Sequence, residues 1–487
     1  MTDPDDFIEG VLPEHACIDA ALLDLSAWGG TVAPAKLLAN TRTGLFGEFD
    51  APEPEAVLHA VKALLYLGFG AEARQTAALA GPDAPEELRL YQSMGSIIDG
   101  ESDPDTPFSN MLDCDGPAAL WAALARHRLP ADKGLKRDAI LQAFVALPAH
   151  LRQHLGPSLA EKFLARDDDE AVRMIRDAME RAPQADEAAV AVLDARAALH
   201  GDDPEAAKIH AEAAVTIDGD GPDGLITLVE SHFRTLDPLG AETAEALLAL
   251  QGEVRGTTDE PRVDRAIVLA LALSNQIDAA FQQPGARGTI LAELWRVTES
   301  RATDDEFLKR AVLSAEAAAP IVDPSLGQMI ADRLLSLGFG DAALVWIGLV
   351  TPEDPPDKRR LAARAILGQG DAPRTLTLLE GLDDPETERL RAKALIQMND
   401  PTGAAIALSA AGDTEAEVRV SPWKRDWAGL DPALPETWLK AADIVASEPD
   451  GDGTGPLGRG DRAIEASVAS RAAIEALLTS VAAPPLD

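Results

Sequence analysis

The sequence predicts an all-α protein built from stacked helix-turn-helix units, and three observations carry that expectation. First, the chain is 46% hydrophobic but only 4% aromatic. Alanine and leucine supply the apolar content, which suits close helix-on-helix packing better than β-sandwiches rich in Val, Thr and Tyr. Second, 37 glycines and 34 prolines are spread along the 487 residues, as frequent short turns require. Third, "YLGFGAEARQTAAL" at 66–79 returns 270 positions later as "SLGFGDAALVWIGL".

The echo has internal spacing. From Gly68, Ala73 lies five residues on, Ala80 twelve on and Pro85 seventeen on; from Gly338 the same steps reach Ala343, Val350 and Pro355. Arg166 leads to Ala171, Ile175, Ala178 and Pro183, and Gly201 to Ala206, His210, Ala213 and Asp218. Asn399 leads to Ala404, Leu408 and Ala411. Gly368 reaches Pro385, but five on it meets Pro373, so that copy reads as degenerate. The physical expectation is a helix ending at the first residue and a short Asp-rich turn that caps the next helix. Small residues five and twelve on then face the buried side, and Pro or Asp seventeen on stops the helix.

Copies 35, 30 and 31 residues apart (166 to 201, 338 to 368, 368 to 399) fit a stacked array. The pattern resembles the second half of the tetratricopeptide repeat, most clearly over 159–218 and 325–412 and at 56–85. The Trp, Leu-Gly and Tyr signature of that family's first helix is not reproduced. The resemblance implies a right-handed superhelical solenoid whose concave face binds a peptide or protein segment.

Along the chain, residues 1–105 are expected to form N-terminal helical repeats and 106–158 connecting helices, with 98–116 a polar connector before the helix "PAALWAALARH". The solenoid proper spans 159–420, with turns at 218–224 and 252–262. After 420 the texture changes: Trp423, Trp427 and Trp438 fall close together, ahead of the Gly-rich link "EPDGDGTGPLGRGD". A last helix at 462–481 sets Ile464, Val468, Ile474, Leu477, Leu478 and Val481 over one broad side. It is expected to dock back and cap the array, because solenoid ends need covering.

Charge narrows the partners. With 82 acidic against 43 basic residues the net charge is −39, which repels phosphate backbones and anionic membrane surfaces. No run of about 18 uncharged apolar residues exists to span a membrane. The first residues lack a basic and apolar signal, so the cytoplasm is the default expectation. Cys17 and Cys114 leave two alternatives open. They are two buried thiols in a reducing cytosol, the default, or one disulfide in an exported, periplasmic protein whose native start lies upstream of Met1.

Chemistry-bearing motifs are sparse. Asp450, Asp452, Thr454 and Asp461 occupy the oxygen positions of an EF-hand-like loop, with Gly455 at the sharp turn. Position 12 is Asp rather than Glu and the loop is full of glycine, so a solvated linker is the expected reading. His150 and His154 sit four apart without the glutamate of a zinc-protease helix and read as structural. The acidic runs Asp167–Glu170 and Asp304–Glu306 precede helices and read as caps. There is no P-loop, G-x-S-x-G or C-x-x-C motif. The expectation is a non-enzymatic scaffold without a cofactor, with Arg359, Arg360, Trp423 and Trp427 as partner contacts, although packing between the last repeat and the cap also accounts for the tryptophans. The runner-up expectation is a carbohydrate-acting enzyme on a helical toroid with paired carboxylates.

Overall fold

The computed structural model describes residues 16–446 and 455–481, apart from 31, 44, 47–51, 82–84, 86, 102, 104, 131–133, 184, 220, 258, 425–426, 428 and 431. Among the described residues the chain is all-α, with only an isolated antiparallel bridge between Phe46 and Pro52. It divides into two compact units, 1–276 and 277–487. Unit 1 contains α1 (Leu25–Gly29), α2 (Pro34–Asn40), α3 (Pro54–Leu67), α4 (Gly70–Ala77), α5 (Glu87–Ile98), α6 (Pro117–Leu124), α7 (Arg137–Ala146), α8 (Ala149–Leu164), α9 (Asp169–Glu180), α10 (Glu187–His200), α11 (Pro204–Ile217), α12 (Pro222–Thr235), α13 (Ala241–Leu250) and α14 (Glu260–Leu273). Unit 2 contains α15 (Ile277–Gln282), α16 (Gly288–Arg301), α17 (Asp304–Leu313), α18 (Ala315–Ala318), α19 (Pro324–Ser336), α20 (Gly340–Ile347), α21 (Pro356–Gly368), α22 (Ala372–Leu378), α23 (Pro385–Gln397), α24 (Pro401–Ala410), α25 (Thr414–Val420), α26 (Glu436–Ala446) and α27 (Pro456–Val481).

One turn recurs in both units. A single residue takes the left-handed conformation: Gly68 (φ 86°), Asp167 (59°), Asp202 (58°), Asn275 (60°), Gly338 (88°), Gly370 (84°) and Asn399 (59°). The N–H of the next residue reaches back five positions, as from Asp203 to the Ala198 carbonyl (2.9 Å) and from Phe339 to Leu334 (2.8 Å). This satisfies carbonyls that the helix end leaves open. Where that next residue is Asp, its carboxylate caps the following helix. Asp168 accepts from the Ala171 N–H at 3.0 Å, Asp203 from Ala206 at 3.0 Å and Asp400 from Gly403 at 2.9 Å.

The turn corrects the register read from the sequence. Counted from the left-handed residue, positions five, nine and twelve on are buried: Ala207, Ala211 and Ala214 after Asp202, and Ala404, Leu408 and Ala411 after Asn399. The stations expected at Gly201 and Gly368 move to Asp202 and Gly370, whereas after Arg166 the left-handed residue is Asp167 but the expected Ala171, Ile175 and Ala178 are buried. Ala206 is therefore only half-buried and Ala213 exposed. The copy read as degenerate becomes regular, with Thr375, Leu379 and Leu382 buried after Gly370. Asp and Asn enter the left-handed region more readily than other side chains, so glycine is an imperfect marker of the station. Seventeen on, Asp218 ends α11 as expected, but Pro355 and Pro385 do not stop helices. Pro355 caps the start of α21 and Pro385 is the first residue of α23, where a missing N–H costs nothing.

The second glycine of the echo has a different task. A Cβ on Gly70 would lie 2.2 Å from the Gly95 carbonyl oxygen, so α4 and α5 meet backbone to backbone. Within each unit several alternate helices also touch, as in α8 with α10, α10 with α12, α19 with α21 and α21 with α23. In unit 2, Trp295 packs edge-on against Trp346 with centroids 4.7 Å apart, and the Trp346 indole donates to the Ala311 carbonyl at 2.8 Å.

Three further expectations change. Cys17 and Cys114 are joined in a disulfide with Cα atoms 5.9 Å apart, rather than standing as separate thiols. The segment 98–116 is more than a polar connector, because Phe108, Leu112 and Cys114 are buried in the unit 1 core. The last helix begins at Pro456 and does not bury its apolar side. Leu457, Ile464, Val468, Ile474 and Leu478 are all exposed, and of the expected apolar side only Leu477 is described as half-buried, beside Arg462, Ser470 and Ala473. Its partner in unit 2 is α26.

Candidate binding face

The alternate helices α8, α10, α12 and α14 of unit 1 wall a groove of about 240 Å³. Each helix contributes side chains to it: Glu161 from α8, Arg196 and Leu199 from α10, Ile226 and Glu230 from α12, and Arg262 and Arg265 from α14. On α12, Leu225, Leu228 and Val229 are buried, whereas Ile226 and Glu230 look into the groove. Charge alternates across it. Arg196 pairs with Glu161 of α8 and, at 2.6 Å, with Asp223 of α12. Arg262 of α14 reaches Asp223 at 2.9 Å, and Arg265 reaches Glu230 at 2.6 Å. Partial burial pushes the Asp223 carboxyl up, but the Arg196 and Arg262 charges outweigh it and hold the group below the usual carboxylate range.

Unit 2 repeats the device on α19, α21 and α23. Arg364 pairs with Asp332 at 2.6 Å, and Arg360 reaches the α23 cap Asp384 at 2.7 Å. Arg333 donates to the Ala302 carbonyl at 2.7 Å and to Asp304 at 2.8 Å. Arg360 is thus ion-paired within the chain. Arg359 is buried and donates to the carbonyls of Leu378 (3.0 Å), Pro352 (3.3 Å) and Glu380 (2.6 Å). Instead of meeting a partner it staples two turns, because three carbonyls converge on one guanidinium fork.

Trp423 is 67% exposed, so it is not core, while Trp427 and Trp438 are half-buried. The structure does not bring Arg359 and Arg360 together with the tryptophans in any described contact. Asp461 lies within α27, and Asp450, Asp452 and Thr454 fall outside the described residues. Among the described residues no group of three or more His, Cys, Asp or Glu is placed to hold a metal ion, and no helix is long and apolar enough to cross a membrane.

The two histidines of α8 have structural partners. His150 Nε2 meets the Tyr66 carbonyl at 2.5 Å and His154 Nε2 meets the Ile98 carbonyl at 2.8 Å, so one helix closes the ends of α3 and α5. Asp168 caps α9, and Thr303 with Glu306 forms a capping box at α17, in keeping with the expected role of both acidic runs.

Sequence reading missed Arg196, Arg262 and Arg265. A signal was available: opposite charges one unit apart, 35 residues from Glu161 to Arg196, 35 from Glu230 to Arg265 and 32 from Asp332 to Arg364. In comparisons with known proteins, no protein-family model, curated protein or solved structure matches the chain.

Proposed function

We propose that the chain is a tetratricopeptide-like solenoid that acts as a non-enzymatic scaffold, binding an extended or helical protein segment along the face made by alternate helices. The observation that carries this reading is the groove itself, walled by α8, α10, α12 and α14 with Ile226 and Leu199 between arginine–carboxylate pairs. Apolar contacts flanked by paired charges can hold a polypeptide backbone while fixing its register. The recurring left-handed turn and the contacts between alternate helices support the solenoid geometry. The Cys17–Cys114 disulfide favours an oxidising compartment over the reducing cytosol.

The test is a displayed library of random peptides selected on the full chain. Binders should lose about tenfold or more in affinity on Ile226→Asp. They should be unaffected by Ile209→Asp, which changes an exposed residue of α11 outside the groove. Selected peptides that are indifferent to both substitutions would refute the proposal.

A further inference from the structure

The exposed side of α27 carries a pattern of its own. Ile464, Val468, Arg471, Glu475 and Leu478 follow one another at steps of four, three, four and three residues. That alternation is the a and d spacing of a helix-pair seam, and it draws the five side chains into one line along the helix. All five are exposed, the three aliphatic ones at 64%, 61% and 67%. Leu457 extends the line by one further heptad and is exposed as well. The half-buried Arg462 and Ala473 are turned away from the line, and the helix that packs on α27 is α26. Single exposed aliphatics are ordinary on a protein surface, whereas a continuous apolar line marks an interaction site.

The two charges in the middle of the line say what covers it. Neither the Arg471 nor the Glu475 side chain has an ion-pair or hydrogen-bond partner among the described residues. Arginine four residues before glutamate is also the weaker order for a pair within one helix. The charges are self-complementary in one arrangement of two copies. Arg471 and Glu475 each lie two residues from position 473, and Val468 and Leu478 each lie five from it. Two antiparallel α27 helices related by a two-fold axis at that level therefore set Arg471 of each copy against Glu475 of the other. The same operation sets Val468 of each against Leu478 of the other. A parallel pair would place Arg471 on Arg471 and Glu475 on Glu475. A lipid surface would leave both charges unpaired in the centre of the buried line, and a net charge of −39 is repelled by anionic membranes.

We propose that α27 is a dimerisation helix whose partner is α27 of a second copy of this chain, antiparallel to it about a two-fold axis at the level of residue 473. The interface is isologous and closed, so association stops at two copies. The aliphatic residues supply the driving force, and the Arg471–Glu475 pairs fix register and direction, as polar residues in a helix seam do. The interface is separate from the groove of α8 to α14 and does not depend on it.

The test is sedimentation of the oxidised full chain over a concentration series up to about 100 μM, where a dimer should form. Ile464→Asp with Leu478→Asp should leave only monomer. Arg471→Glu and Glu475→Arg should each raise the dissociation constant about tenfold or more, and an equal mixture of the two variants should recover the dimer. That recovery also shows that both variants are folded. Direction is read with nitroxides on Ala472→Cys and Glu465→Cys, since the native cysteines are held in the disulfide. Labels at 472 should be close together, while those at 465 should lie about 24 Å apart along the axis, at a rise of about 1.5 Å per residue. A chain that stays monomeric, a dimer that survives the two aspartates, a mixture that fails to recover, or equal spacing at 465 and 472 would each overturn the proposal.

Discussion

The two units use one turn and one helix repertoire but different side-chain chemistry. All eight histidines, both cysteines and both tyrosines lie in unit 1, while unit 2 has none of these and five of the seven tryptophans. Unit 1 fastens distant elements through a redox-sensitive bridge, Cys17–Cys114, and through the imidazoles of His150 and His154 on backbone carbonyls. Unit 2 fastens them with arginines, such as Arg359 and Arg333 on backbone carbonyls, which stay charged at all ordinary pH. The difference teaches that a shared backbone plan does not imply shared sensitivity to conditions.

The comparison can be broken most forcefully at the disulfide. Cys17→Ser with Cys114→Ser should cost unit 1 about 4–5 kcal/mol on the chain-entropy account of a loop of 97 residues. Hydrogen exchange read peptide by peptide should speed up in α3 to α7 and remain unchanged in α19 to α23. Equal acceleration in both units would end the idea that they respond separately.

Next in size is Arg359→Leu in unit 2. It leaves three carbonyls without their charged donor and should cost roughly 2–3 kcal/mol, read as a lower denaturant midpoint for that unit. Arg360→Leu at the next position loses half-exposed ion pairs and should cost less, about 1 kcal/mol or under. A reversed order would remove the stapling role given to Arg359.

The smallest expected effect sharpens the pH contrast. Burial pushes the His232 imidazole down, and the Lys208 charge adds to it. A folded value below the unfolded one means that the unfolded chain binds the proton more readily. Stability from this group is therefore full above about pH 6.5 and is lost as pH falls through that window. Exchange protection of α12 should weaken between about pH 7.5 and about pH 5.5, less so in His232→Asn, while α21 in the histidine-free unit keeps its protection. A pH response in α21 of equal size would contradict the contrast.

Much of the local architecture was legible because turn chemistry is local. Asp203 and Asp400 mark helix starts by their own side chains, and Gly68 and Gly338 mark helix ends by their freedom at positive φ. What was not legible depends on partners far away in sequence. Nothing near Arg359 says that carbonyls 19 and 21 residues later converge on it. Nothing near Cys17 fixes its distance from Cys114. The amphipathic pattern of α27 was legible as a helix, but a pattern states that a side is apolar, not what covers it. The register slipped where Asp202 took the place expected of Gly201, since Asp gives a weaker sign of left-handed backbone than glycine.

The recurring turn also bears on how such a chain can change over evolutionary time. It asks for a left-handed backbone at one residue, met here by Gly, Asn or Asp, and for a side chain that fits a buried position five residues on, met by Ala, Val or Thr. Most of the remaining letters are free to drift. Two chains can therefore keep this geometry long after their spelling has parted, and kinship would persist in dihedral angles after it had faded from the residues.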